Sequence, residues 1–155
     1  MQTRWALLIL ATLVTAGGCE DDQSTSGSGT APIISNPQAN VQQVTSGSQQ
    51  TLQITFDFQD ADGDIHTAQA HIKTDKGLET MTNEAEIQGA EGLVQGKAVV
   101  AFALQLPDPG VVELHLTADD AHGNTSNAVT VTLPIVEPSA QNTGNGDFQP
   151  GTTKK

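Results

Sequence analysis

Five stretches of this chain carry an apolar side chain at every second residue, and that spacing restricts the possible folds more than any other feature. Leu52, Ile54, Phe56 and Phe58 alternate with Gln53, Thr55 and Asp57; Ala68, Ala70 and Ile72 alternate with Gln69, His71 and Lys73. Val100, Phe102, Leu104 and Leu106 form a third set. Val112, Leu114, Leu116 and Ala118 form a fourth, alternating with Glu113, His115 and Thr117, and Val129, Val131 and Leu133 a fifth. Side chains of a strand point alternately to its two faces, so period two describes a strand with one face in a core and one in water. A register slip of one residue would turn each apolar set outward, so the pattern also fixes pairing.

Weaker strands are expected on either side of these. Pro32 to Ser35 and Val41 to Val44 read as a broken first strand, and Leu78 to Ile87 as one or two short ones. Asp75-Lys76-Gly77 and Pro107-Asp108-Pro109-Gly110 are turns, because glycine supplies the backbone freedom and proline cannot donate to a ladder. Gly89 to Gly96 reads as a loop. Nowhere do helix caps and a 3.6-residue apolar stripe occur together. About seven short strands with regularly spaced turn residues predict an all-β chain, an antiparallel β-sandwich spanning 31–136. Phe56, Ile72, Phe102, Leu114, Leu116 and Val131 are its expected core, with His71 and His115 on outward positions.

The N-terminus has a different character. Arg4 precedes the apolar run Trp5 to Val14, and Ala16-Gly17-Gly18 leads to Cys19, the single cysteine. A cation, an apolar stretch of roughly 7–15 residues and a small-residue exit make an export signal, and the run is shorter than the roughly 17–25 residues of a membrane-spanning helix. An ordinary cleaved signal with an incidental cysteine has the same outline. The segment ending Gly17-Gly18-Cys19 resembles the signal peptide of bacterial lipoproteins, with Ala16 where leucine is usual. That resemblance implies cleavage after residue 18, acyl chains such as palmitate on Cys19, and a place in the bacterial cell envelope. Glu20-Asp21-Asp22 resemble the sorting signals of some surface-exposed lipoproteins, which points to the outer membrane or cell surface; a merely solvated charge run reads the same way. Residues 19–30, acidic and then Ser/Gly-rich, are expected to form a flexible tether, and 137–155 a disordered tail.

The chain carries 6 basic and 18 acidic residues, a net charge of −12. Such a surface repels nucleic-acid phosphates and anionic lipid headgroups, so the expected link to the membrane is the lipid on Cys19. Phe56 to Ile65, with Asp60-Ala61-Asp62-Gly63-Asp64, and Ala118 to Val129, with Asp119-Asp120 and Gly123-Asn124, resemble the strand-to-loop junctions of bacterial Ig-like, PKD-like, cadherin-like and fibronectin type III-like modules. The resemblance implies an Ig-like sandwich used for binding, adhesion or spacing, with an envelope or extracellular protein as partner. No metalloprotease helix, phosphate-binding glycine loop or nucleophile elbow is present, so catalysis is not expected. An envelope accessory subunit or an enzyme without a familiar motif is the alternative. A concave polar pocket would favour that alternative, and a flat face or open strand edge the binding module.

One site can be named from the residues. Two loops at the same end of such a sandwich carry Asp60, Asp62 and Asp64, and Asp119, Asp120 and Asn124. Gathered hard oxygen donors suit Ca²⁺. His66 and His122 lie nearby, but carboxylates outnumber them, which disfavours zinc. The bland reading is that Asp, Asn and Gly are what turns are made of.

Overall fold

The computed structural model of this chain describes residues 29–139. The expected signal peptide, Cys19, most of the tether and the tail from residue 140 lie outside the described residues.

Nine strands form among the described residues: β1 (Ile33–Ala39), β2 (Val44–Thr45), β3 (Gln49–Gln59), β4 (Ile65–Thr74), β5 (Glu79–Met81), β6 (Ala85–Glu86), β7 (Gln95–Gln105), β8 (Gly110–Asp120) and β9 (Val129–Val136). There is no helix among the described residues. One sheet has the order β1-β3-β7 and the other β2-β9-β8-β4-β5, with β6 also pairing with β4. Every pairing is antiparallel except β2 with β9. The first two long strands share a sheet with β7, and β4, β8 and β9 share the other, which is the partition of an Ig-like sandwich.

The five alternating stretches become β3, β4, β7, β8 and β9 with the expected faces inward. Phe56, Ala68, Leu114 and Leu116 are completely buried, and Ile72, Phe102 and Val131 nearly so, in one core shared by both sheets. The count exceeds seven because β2 and β6 are two-residue strands, too short to show a period. The broken first strand is real but divided between sheets. β1 bulges between Ser35 and Gln38, around Asn36 and Pro37, and the chain then crosses to lay β2 beside β9. Asn36 takes a left-handed φ of 51°, which asparagine tolerates better than most residues. β7 starts inside the expected 89–96 loop. Gly96 pairs with Phe58, whose ring would lie 3.4 Å from a Cβ there, so this glycine serves close packing and not a turn.

The two ends of the sandwich differ. β3 ends, β4 begins, β8 ends and the N-terminal segment arrives at one end, since Ile33 pairs with Gln59 beside Asp60. At the other, the Ser46 N–H donates to the Val136 carbonyl and the Gly47 N–H to that of Leu106. The chain therefore leaves from the end opposite to the one it comes in by. The sides differ too. On one, the Asn127 side chain exchanges two hydrogen bonds with the backbone of Ile34, 3.0 and 2.9 Å, and stands in for a strand beside β1. On the other, the second sheet continues beyond β4 to β5 and β6, whereas the first stops at β7.

Candidate functional site

The acidic loops meet as the sequence suggests, with one exchange of residues. Gly63 at φ 70° donates its N–H to the Asp60 carbonyl and closes a turn in which one oxygen each of Asp60, Asp62 and Asp64 come within 4.8 Å of one another. Asp60 Oδ2 accepts from the N–H groups of Asp64 and Ile65, both at 2.8 Å; its Oδ1 is buried with no partner. Neither oxygen of Asp64 accepts a hydrogen bond. An unsatisfied buried acceptor costs about 1–3 kcal/mol, more when it is charged. His122 Nδ1 stands 2.6 Å from Asp64 Oδ2, near enough for an ion pair when the ring is protonated but without hydrogen-bond alignment.

The β8–β9 loop supplies the other wall. Asp120 Oδ1 accepts from the N–H groups of His122 and Asn124, and Oδ2 from the Asn124 side-chain amide at 2.7 Å. Burial pushes the Asp120 carboxyl up; the Asn124 side chain, the two N–H donors and the His122 charge outweigh it and leave the group below its ordinary 3.8. Asp120 thus folds the loop with both oxygens engaged. The Ala121 N–H bonds to the Asp64 carbonyl and ties the loops together.

Asp119 does not join them. It is one residue out of phase on β8, so its side chain faces the other way and accepts from Thr125 Oγ1 at 2.5 Å. His122 takes its place, within 4.8 Å of Asp64 and Asp120. His66 stays exposed outside both groups. The tether expected to run through Thr30 meets the domain earlier: the Thr30 N–H donates to Asp62 Oδ2 at 2.6 Å. A Cβ on Gly29 would lie 3.1 Å from Asn124 Nδ2, 3.2 Å from Asp62 Oδ2 and 3.4 Å from His122 Nδ1. The arriving chain therefore crosses the mouth of the acidic loops.

A second feature lies along β7 and was not foreseen. Val99 exchanges both backbone hydrogen bonds with Gln88, away from β3. Alternation then directs the N–H and C=O groups of Ala101, Ala103 and Gln105 to that same outer side, where no strand of the described residues is paired. Below this edge lies the overhang of the second sheet. Thr80 pairs with Ile72 and so shares its inward face, yet Ile72 is buried and Thr80 exposed because none of the described residues roofs β5. A hollow of about 240 Å³ runs between Ile72, Leu78 and Thr80 on one side and Ala103 to Leu106 on the other. A smaller one, about 120 Å³, continues it past Thr82 and Glu84 to Ala101. Among the described residues, Glu84 is the only charged one lining either. The sequence signal was the run Ala98 to Leu106, which has none of the charges or prolines that usually guard an edge strand.

The outer face of the second sheet is polar, as expected. His71 and His115 sit in register with ring centroids 6.2 Å apart; His71 contacts Glu79 at 2.9 Å and His115 contacts Thr130 Oγ1 at 3.0 Å. A further hollow, about 290 Å³, is an open surface depression over Lys73, Asp75 and Glu113.

No family model matches this chain, and no curated protein matches it. Several solved structures are distantly similar, three of them as follows. A mutant of the SrpA adhesin from Streptococcus sanguinis has TM-score 0.40 and 16% identity, covering 69% of this chain and 58% of that one. The alkylpurine DNA glycosylase AlkC of Pseudomonas fluorescens, bound to DNA with an abasic-site analogue, has TM-score 0.42 and 10% identity over 70% of this chain and 31% of that one. A DUF4466 family protein from Parabacteroides merdae has TM-score 0.35 and 9% identity, covering 69% and 45%. This chain thus spans less than two thirds of each. Likenesses at this level bear on neither family nor function.

Proposed function

We propose that this protein is a lipid-anchored binding module of the bacterial cell envelope, and that its partner adds an extended strand to the open edge of β7. The unpaired N–H and C=O groups of Ala101, Ala103 and Gln105 carry the proposal. They offer main-chain hydrogen bonds at every second residue, and the hollow beneath accepts the inward side chains of the incoming strand. A second copy of this sandwich fits poorly. Pairing β7 with β7 would bring the two β5–β6 overhangs into the same space, whereas a lone strand fills the missing place above β5.

The hollow's walls mix apolar side chains, Ile72, Leu78 and Leu104, with polar ones, Thr80, Asn83 and Gln105, which calls for small β-branched residues such as Val and Thr at alternate positions of the partner. Glu84 at the rim and the net charge of −12 call for a neutral or basic segment. Attachment comes from the resemblance at Gly17-Gly18-Cys19, which implies acylation of Cys19. The chain reaches the sandwich at the acidic end, so β7 runs away from that anchor. The open edge and shallow hollows support binding over catalysis by the criterion of site shape.

A fluorescent peptide Lys-Thr-Val-Thr-Val-Thr-Lys, titrated against the full-length protein in detergent, tests the strand site. Ala103→Pro removes an N–H that points to the open edge and leaves the β3–β7 ladder bonds in place. Binding should saturate and weaken about tenfold or more in this variant, with its melting curve still cooperative. Absence of binding, or equal binding by Ala103→Pro, would refute the strand site.

A further inference from the structure

We propose that Asp60, Asp62 and Asp64 bind Ca²⁺ where the N-terminal segment reaches the sandwich. This centre is independent of the strand site on β7. A group of acidic side chains alone would show only a turn, and the decisive observation is the state of Asp60. It is 2% exposed; Oδ2 is saturated by two backbone donors, and Oδ1 is buried with no partner. A carboxylate needed only to shape the turn would have done that work with Oδ2. That spare oxygen and both of Asp64's are buried without a hydrogen bond, in carboxylates that each bring an oxygen within 4.8 Å of the other and of Asp62, with His122 Nδ1 beside Asp64 Oδ2 at 2.6 Å.

The spacing fits one ion. Ligands about 2.3–2.6 Å from a common centre lie at most roughly 5 Å apart. The three carboxylates each bring an oxygen within 4.8 Å of the others. Asp62 Oδ2 accepts from Thr30, which leaves its Oδ1 for the ion. Three carboxylates make only part of a six- to eight-oxygen shell, with water supplying the rest. That composition belongs with extracellular calcium modules of Kd about 10⁻⁴–10⁻³ M. The neighbouring group Asp64, Asp120 and His122 offers a nitrogen, but Asp120 already has both oxygens engaged, so a borderline metal such as zinc has fewer free donors there.

Full-length protein, stripped with chelator and held in detergent, is titrated with CaCl₂ by calorimetry and followed by thermal melting at constant ionic strength. One site with Kd of about 10⁻⁴–10⁻³ M is expected, with a melting temperature that rises with calcium concentration. Asp60→Asn keeps an acceptor for the two turn N–H groups and should weaken binding about tenfold or more, as should Asp64→Asn. Asp119→Asn, outside the cluster, should bind as the unaltered protein does. Equal responses to calcium in the Asp60→Asn and unaltered proteins would overturn the assignment, as would an equal response to magnesium, which would indicate charge screening. No heat and no shift at about 10 mM, ten times the weakest expected Kd, would also overturn it. Zinc binding lost in His122→Ala, with no calcium response, would move the site to the neighbouring group.

Discussion

Truncating Phe102 to alanine tests the register on which the sandwich and its open edge both depend. Phe102 is 3% exposed and points into the shared core, while its neighbours Ala101 and Ala103 face outward. Phe→Ala in a core loses transfer free energy and leaves a cavity, about 3–5 kcal/mol together. Against a total of about 5–15 kcal/mol, that removes a large part of the stability. At roughly 3–6 °C per kcal/mol for a domain of this size, the melting temperature should fall by about 10–30 °C. Trp5 is the only tryptophan and lies outside the described residues, so urea unfolding is best followed by far-ultraviolet circular dichroism. The urea midpoint should drop at unchanged m-value. Ala103→Lys, one residue on, should change stability by no more than about 0.5 kcal/mol. A loss below about 1 kcal/mol for Phe102→Ala, or similar losses for both variants, would mean that the strand is displaced by one residue.

Three further outcomes follow from other parts of the chain. The Asp120 carboxyl is held below its ordinary 3.8, so its contribution is complete above that value and lost as pH falls through the lower folded value. Urea midpoints taken between pH 5 and pH 2.5, roughly the span below the ordinary carboxylate range, should fall more steeply for the unaltered protein than for Asp120→Asn. Identical slopes would contradict that role. Asn127→Ala removes a side chain that bonds both the Ile34 N–H and its C=O, and should cost about 1–3 kcal/mol and speed exchange of the Ile34 amide; unchanged exchange would show that β1 holds without it. Cys19→Ser should release the protein from the membrane fraction, and mass spectrometry should find acyl chains on Cys19 in the unaltered protein. Equal membrane retention of the serine variant would refute the anchor.

The long strands were legible because period two is a local property of sequence. Leu52 to Phe58 and Val112 to Ala118 state which face is buried without reference to any partner. β2 and β6 were not legible, since two residues carry no period and owe their place to β9 and β4. The crossing of the chain after the β1 bulge is a tertiary fact, although Asn36-Pro37 marks where it occurs. The convergence of Asp60, Asp62 and Asp64 was readable from their spacing around Gly63. The exchange of Asp119 for His122 was half legible, because the phase of β8 already sends residue 119 away from the side that residue 120 faces. That one oxygen of Asp60 would be saturated and the other free depended on the backbone of Asp64 and Ile65. The open edge was hidden because each strand looks complete alone, and only the sheet order reveals that β7 has a neighbour on one side.

Strand addition at β7 is tested most directly by backbone amide spectra of the full-length protein with and without the peptide Lys-Thr-Val-Thr-Val-Thr-Lys. The Ala101, Ala103 and Gln105 amides point to the open edge, while those of Val100, Phe102 and Leu104 bond to β3. On binding, the first three should shift together and exchange about fivefold more slowly with solvent, as amides that gain a hydrogen-bond partner worth about 1 kcal/mol do. The second three should change little. Shifts confined to other surfaces, or none along β7 at saturating peptide, would contradict the account.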